Sequence, residues 1–427
     1  MATYKIVGGK PLKGVIEPVP NKNSILKLIP AALLTDEPVI IRNVPKSSDV
    51  RLMLKIVKQL GGKISYLDGG STVKIIAKDL NSYEMDPALS QKAKASVMFM
   101  GPLLVRFKKA HMPMPGGCKL GTRPLDAFID NMVQMGAKYI REKGYYLEAD
   151  KLHATKIWSW FPSVTGTENT IMLAVLTKGI TEIYNAASEP HTQDLCNMLN
   201  AMGAKIYGIG SNKLTIEGVE KLSGVEWTVI PDHLDIGGYI AAAAMTKGEI
   251  TIKNAIPEHM QMIFQFFEKI GIKVKINDKD IVIDGNQKME CALTVRGDIL
   301  DVKAFAWPFL PPDFVHVAVV AALKAKGSII FHNSFYEYAF FFVEELAKMK
   351  AKVIMADPLR IITFGPTEYK AAKLIAPNII QATMALFLAA LSAEGTTILE
   401  DSEDSLMRRY PDLVENYRKL GADIIKL

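Results

Sequence analysis

Apolar and polar positions along this chain repeat one short phrase. It reads Leu60-Gly61-Gly62-Lys63-Ile64, Met135-Gly136-Ala137-Lys138-Tyr139 and Met202-Gly203-Ala204-Lys205-Ile206. It continues as Ile270-Gly271-Ile272-Lys273-Val274, Met349-Lys350-Ala351-Lys352-Val353 and Leu420-Gly421-Ala422-Asp423-Ile424. The spacings of 75, 67, 68, 79 and 71 residues give six copies of one unit, and near-even spacing over that many copies marks an internal repeat. A helical pattern such as Leu52 to Leu60 leads into the phrase, glycine supplies the C-cap, and an alternating strand follows. Tight turns then return the chain. Asp68-Gly69-Gly70 joins strand 63–66 to 72–76, Asn277-Asp278 joins 274–276 to 281–283, and Asp357-Pro358 joins 353–355 to 361–364.

A second pattern lies in most copies. A very apolar helix runs into a Lys-Gly or Glu-Gly turn and then a strand. The helices are 170–176, 240–245, 317–323 and 382–391, and the strands are 180–184, 250–253, 328–331 and 396–399. Helices this apolar are expected to be buried on most sides, with strands around them. Three units would enclose their helices in sheets, and six would make two such assemblies, an α/β fold of two domains. The sixth copy stops at Leu427 without a return strand, while Tyr4 to Val7 is a strand without a partner. The N-terminal strand is therefore expected to complete the last unit. This places repeats one to three in an inserted domain, 22–230, and repeats four to six with the N-terminus in a second, 1–21 and 231–427. A cleft between two such domains is a natural ligand site.

Composition narrows the function. A chain of 427 residues exceeds one ordinary core. No uncharged apolar run reaches the about 18 residues of a membrane span, so no membrane association is expected. The first residues lack a signal peptide's apolar core. The three cysteines, Cys118, Cys196 and Cys291, suit a reducing cytoplasm better than a disulfide framework. The net charge of +6 is spread out, which argues against nucleic acid and is compatible with a small anionic substrate. The seven histidines form no HExxH or Cys/His cluster, so neither metal nor other cofactor is expected. Gly208-Ile209-Gly210 lacks a third glycine and lies between two strands, so it reads as a hairpin.

The densest chemistry lies in Pro115-Gly116-Gly117-Cys118-Lys119-Leu120-Gly121-Thr122-Arg123-Pro124. Its glycines and prolines specify a loop. Lys119 and Arg123 flank a thiol, and nearby cations make a thiol reactive. By itself the loop reads more readily as an incidental surface thiol beside solvated cations.

The six repeats, Asn21-Lys22-Asn23 at the first domain crossing and this cysteine loop together resemble the enolpyruvyl transferases, in the branch that acts on UDP-N-acetylglucosamine. Further motifs carry the resemblance along the whole chain: Ser163-Val164-Thr165-Gly166-Thr167-Glu168-Asn169, Glu189-Pro190, Trp307-Pro308, Pro311-Pro312-Asp313 and Ala393-Glu394-Gly395-Thr396-Thr397. The resemblance implies an inside-out α/β barrel in each domain. It also implies transfer of the enolpyruvyl group of phosphoenolpyruvate to a sugar 3-hydroxyl with release of phosphate, in peptidoglycan precursor synthesis, without a cofactor or required protein partner.

Residue by residue, the resemblance makes Cys118 the general acid and the thiol alkylated by fosfomycin. Asp313 takes the hydroxyl proton, Lys22 contacts phosphoenolpyruvate, and Arg408 fits the C-terminal arginine, with Arg409 beside it leaving the register open. Asn23, Lys94, Arg123, Pro124, Leu125, Asp126, Ala127, Ser163, Val164, Thr165, Gly166 and Phe335 fall in the substrate-binding set. For Asp313 a helix N-cap is the alternative reading. Three places depart from the family pattern: Ala339, and Gln381 or a neighbour, stand where arginines are usual, and Leu406-Met407-Arg408-Arg409-Tyr410 stands for the usual Asp-Arg-Gly-Tyr. They keep two other readings open, an enolpyruvyl transferase with another nucleotide or sugar acceptor, and a catalytically degenerate paralogue that binds nucleotide sugar.

Overall fold

The computed structural model of this protein describes residues 2–92, 94–113, 125–141 and 144–427. Two compact units emerge. One combines Met1–Val19 with Pro231–Leu427, and the other takes the chain between Pro20 and Ile230. Each has its own hydrophobic core.

In the unit that holds both termini, the core is three helices: His233–Thr246, Val315–Ala322 and Ile380–Ser392. The first two are buried at every residue, and the third from Ala382 to Leu391. The three pack on one another, and three four-stranded sheets surround them. One sheet shows how the chain is closed. Its order is Lys373–Ile375, Gly395–Asp401, Ala2–Gly8 and Asp423–Lys426. The N-terminal strand is antiparallel to both neighbours, with Ile6 opposite Thr397 and Ile424. It buries Ala2, Tyr4 and Ile6 on alternate positions, the period that a one-faced strand requires. Lys13–Ile16 joins a second sheet beside Glu249–Ile252, in parallel.

The other unit repeats the plan. Its buried helices are Lys22–Ala31, Met100–Phe107 and Val164–Ala174, among two four-stranded sheets and one of three strands. The first two lack the Lys-Gly or Glu-Gly signature that marks the rest. Pro30 lies in the last turn of Lys22–Ala31, and Lys108 ends Met100–Phe107 in a left-handed conformation that elsewhere favours glycine. The expected hairpins at 68–70, 277–278 and 357–358 are present, and Gly208 to Gly210 joins Lys205–Tyr207 to Lys213–Glu217. Lys22 and Asn23 belong to the first turn of a helix rather than to the crossing segment.

Four of the return strands meet their helix at a glycine with no room for a side chain, whereas Thr72–Ile76 and Tyr145–Glu148 run into Ala77 and Ala149. A Cβ would lie 1.8 Å from the Thr177 carbonyl oxygen at Gly218, 2.1 Å from that of Ala243 at Gly285, 2.0 Å from that of Ala325 at Gly365 and 2.2 Å from that of Ala390 at Gly8. Gly8 thus takes in the sixth repeat the place that Gly218, Gly285 and Gly365 hold in theirs. Gly285→Ala is expected to destabilise the protein by about 1–3 kcal/mol, the range for overpacking. A urea unfolding midpoint equal to that of the wild type would contradict this packing.

Candidate functional site

In the 20–230 unit, two helix N-termini carry the chemistry. Asn21 caps Lys22–Ala31, its side chain accepting from the Ser24 amide at 3.0 Å. Lys22 is buried in the first turn, and its ammonium pairs with the carboxylate of Asp49, itself in the first turn of Ser48–Gln59. The helix is anchored by Ser24, whose hydroxyl donates to Asp194, and Asp194 also accepts from the Trp227 indole at 3.0 Å. Burial raises the Asp194 carboxyl to about 6, against the pull of those donors.

The second N-terminus is that of Val164–Ala174. Ser163 caps it, accepting from the Gly166 amide at 3.1 Å. The backbone at Ala127 approaches Gly166: a Cβ there would lie 3.5 Å from the Ala127 carbonyl oxygen. This brings Leu125, Asp126 and Ala127 beside Ser163 to Gly166. Leu125 precedes the helix Asp126–Gln134, and Asp126 is exposed. Helix N-termini capped by uncharged side chains leave amide hydrogens and a positive field, a ready anion site.

Deeper in the same helix, Glu168 is fully buried. It accepts from the Thr192 hydroxyl at 3.0 Å and lies 3.6 Å from the Lys27 ammonium. Burial lifts its carboxyl from 4.5 to about 7, although Lys27 and Thr192 favour the anion.

In the other unit the chemistry gathers at Asp313, which follows Pro311-Pro312. Its Oδ1 accepts from the Tyr336 hydroxyl at 3.1 Å, and its Oδ2 lies 3.9 Å from Arg409 Nη1. Phe314 rather than Asp313 is the N-cap of Val315–Ala322, and no side-chain cap bond forms there. Arg409 is buried and donates through Nε and Nη2 to Asp232, at 2.9 Å each. Asp232 is fully buried and caps His233–Thr246, accepting from the Leu234 amide at 3.0 Å. Burial opposes the charge on Arg409, but Asp232, then Tyr410 and Asp313, outweigh it and push the guanidinium above its ordinary range. Burial lowers His233 to about 4 and raises Asp235 to about 8, so both are uncharged near neutral pH. Phe335 packs edge-on against Phe305 and Tyr336.

The whole architecture has known counterparts. Residues 6–417 match the family described as EPSP synthase (3-phosphoshikimate 1-carboxyvinyltransferase). The chain belongs to this family. Among curated relatives, a UDP-N-acetylglucosamine 1-carboxyvinyltransferase of Bacteroides thetaiotaomicron is 40% identical, and the match covers 100% of both chains. One of Treponema denticola is 38% identical over 99% of each. Among solved structures, the enolpyruvyl transferase NikO from Streptomyces tendae superposes with a TM-score of 0.88 at 21% identity, covering 100% of this chain and 98% of that one. An EPSP synthase from Acinetobacter baumannii gives 0.77 at 16% identity, over 100% of both. These two establish the enolpyruvyl transferase fold, the α/β barrel in each domain that the resemblance implied.

Against this family frame, the expected residues fall into place unevenly. Cys118, Arg123, Pro124 and the side chain of Lys94 lie outside the described residues. Cys196 and Cys291 are buried, and burial raises both thiols, Cys291 to about 11, so neither is a nucleophile at neutral pH. Arg408 is half-buried at the end of the short turn Leu406–Arg408, whereas the guanidinium at Asp313 is that of Arg409. Ala339 is buried, and Gln381 opens the helix Ile380–Ser392. Sequence reasoning missed Asp49, Asp232 and Tyr336. Only Asp232 carried a signal, as an Asp ahead of an apolar helix.

The buried Glu168 sets a pH test. Below pH 4.5 the folded and unfolded chains both hold its proton. As pH rises from 4.5 to about 7 the unfolded chain gives it up first, so stability falls through that window and levels off above it. The loss amounts to about 3 kcal/mol at most, at 1.36 kcal/mol per unit. Glu168→Gln is expected to remove this loss, so its urea midpoint declines less than the wild type's between pH 5 and 8. Parallel declines in the two proteins would contradict the assignment.

Proposed function

We propose that this protein transfers the enolpyruvyl group of phosphoenolpyruvate to the 3-hydroxyl of UDP-N-acetylglucosamine, in the cytoplasm, as a step of peptidoglycan precursor synthesis. The observation that carries the reading is end-to-end similarity, at 40% identity, to a curated enzyme named for that reaction.

In this reading the acceptor oxygen attacks C2 of phosphoenolpyruvate while C3 gains a proton. Asp313 takes the hydroxyl proton, and Cys118 gives the proton to C3. The resulting ketal loses phosphate from C2 and a proton from C3, which restores the double bond. Lys22, with its ammonium held by Asp49, and Asn23 receive phosphoenolpyruvate at the N-terminus of Lys22–Ala31. Ser163, Val164, Thr165 and Gly166 offer the diphosphate the N-terminus of a second helix. Arg123 adds a bidentate cation, Lys94 a further charge, and Pro124 to Ala127 and Phe335 surround the nucleotide. Arg408 supplies a second guanidinium in this scheme. The thiol of Cys118 would also be the point of fosfomycin alkylation.

Phosphate release with phosphoenolpyruvate and UDP-N-acetylglucosamine tests this. Turnover is expected, Cys118→Ala is expected to abolish it, and Asp313→Asn is expected to lower kcat by about 10²–10⁴-fold. Binding of the nucleotide sugar without turnover in the wild type would overturn the proposal in favour of a degenerate paralogue. Turnover with a different nucleotide sugar alone would overturn the acceptor.

A further inference from the structure

Asp313 is held by two groups that are themselves fixed by residues not touching it. Tyr336 donates to Oδ1 at 3.1 Å. Its own backbone is pinned by the fully buried Asn333, whose Oδ1 accepts from the amides of Phe335 and Tyr336 at 2.9 and 3.3 Å. Arg409 stands 3.9 Å from Oδ2. Its fork is locked on Asp232, which in turn is locked as the cap of His233–Thr246. The hydroxyl therefore occupies one carboxylate oxygen. The guanidinium gives the other a compensating charge from beyond hydrogen-bond distance, and leaves its lone pairs open.

A carboxylate free to turn about its Cβ–Cγ bond would present either oxygen in many directions. Among the described residues, one oxygen is tied by a hydrogen bond and the other is not. The histidines that face Asp313 do not compete for the open oxygen with charge, since burial keeps His233 and His316 unprotonated near neutral pH. Among the described residues, the guanidinium at this carboxylate is that of Arg409.

We propose that Tyr336 and Arg409 are positioning residues for Asp313, aiming its Oδ2 at the acceptor hydroxyl. The proposal rests on Asp313 being the base in the reaction above.

Tyr336→Phe keeps the ring and removes one donor. A hydrogen bond to a charged group is worth roughly tenfold to a hundredfold in rate when it serves the reacting geometry. The variant is expected to lose kcat by that factor, with KM for both substrates within about twofold and an unchanged urea midpoint. Arg409→Lys, which keeps the charge, is expected to retain more kcat than Arg409→Met. If the Arg409 variants do not fold, because Asp232 is left buried and unpaired, Tyr336→Phe decides alone. An inactive Asp313→Asn beside a Tyr336→Phe with full kcat overturns the positioning role and leaves the base in place. An Asp313→Asn with wild-type turnover overturns the base itself. A Tyr336→Phe that raises KM and spares kcat also overturns positioning, because the hydroxyl would then serve binding.

Discussion

The constraint on which this structure depends is the burial of whole helices. In the unit that holds the termini, three helices have almost no exposed surface. Such a helix cannot leave its terminal amides and carbonyls to water, so the protein must partner them. At the C-terminal ends the return strands press their glycines against the last carbonyls, at Gly218, Gly285, Gly365 and Gly8. The Gly285 amide completes the turn by donating to Gly248 at 2.7 Å. That need explains the place of the strand Ala2–Gly8. Without Ala2–Gly8 between Gly395–Asp401 and Asp423–Lys426, the helix Ile380–Ser392 would face an incomplete sheet.

The N-terminal ends meet the same demand in two ways, and the difference separates anion binding from base chemistry. Asn21 and Ser163 are neutral caps, so Lys22–Ala31 and Val164–Ala174 keep a positive end, with Lys22 at the first balanced by Asp49. Asp232 is an anionic cap. It neutralises the end of His233–Thr246 and at the same time recruits Arg409. With His233 and Asp235 uncharged near neutral pH, that guanidinium sits between two carboxylates, Asp232 and Asp313. A carboxylate supported in this way suits proton abstraction better than phosphate binding.

Sequence carried the repeats, because glycine C-caps and apolar runs obey local rules that need no knowledge of tertiary contacts. It carried the α/β fold for the same reason, and the family fold agrees. Two buried helices escaped it: Pro30 disguises Lys22–Ala31, and Met100–Phe107 ends at a left-handed Lys108 followed by Lys109, where His233–Thr246 has a left-handed Lys247 followed by Gly248. The return-strand glycines also escaped, since the close approach that requires them is visible only once strand meets helix. Arg409 and Tyr336 were not legible as partners of Asp313. Their sequence separations from it are long, and a buried ion pair leaves no local pattern. Arg408 and Arg409 are adjacent, and only packing distinguishes the half-buried side chain from the buried one.

The account's central claim is enolpyruvyl transfer by addition at C2 and protonation at C3, followed by loss of phosphate. Running the reaction in deuterated water and weighing the sugar-nucleotide product tests it directly. Addition and elimination through a methyl group predict deuterium in the vinyl methylene of an enolpyruvyl product. A product that forms without deuterium, or phosphate released with no enolpyruvyl sugar formed, would contradict it.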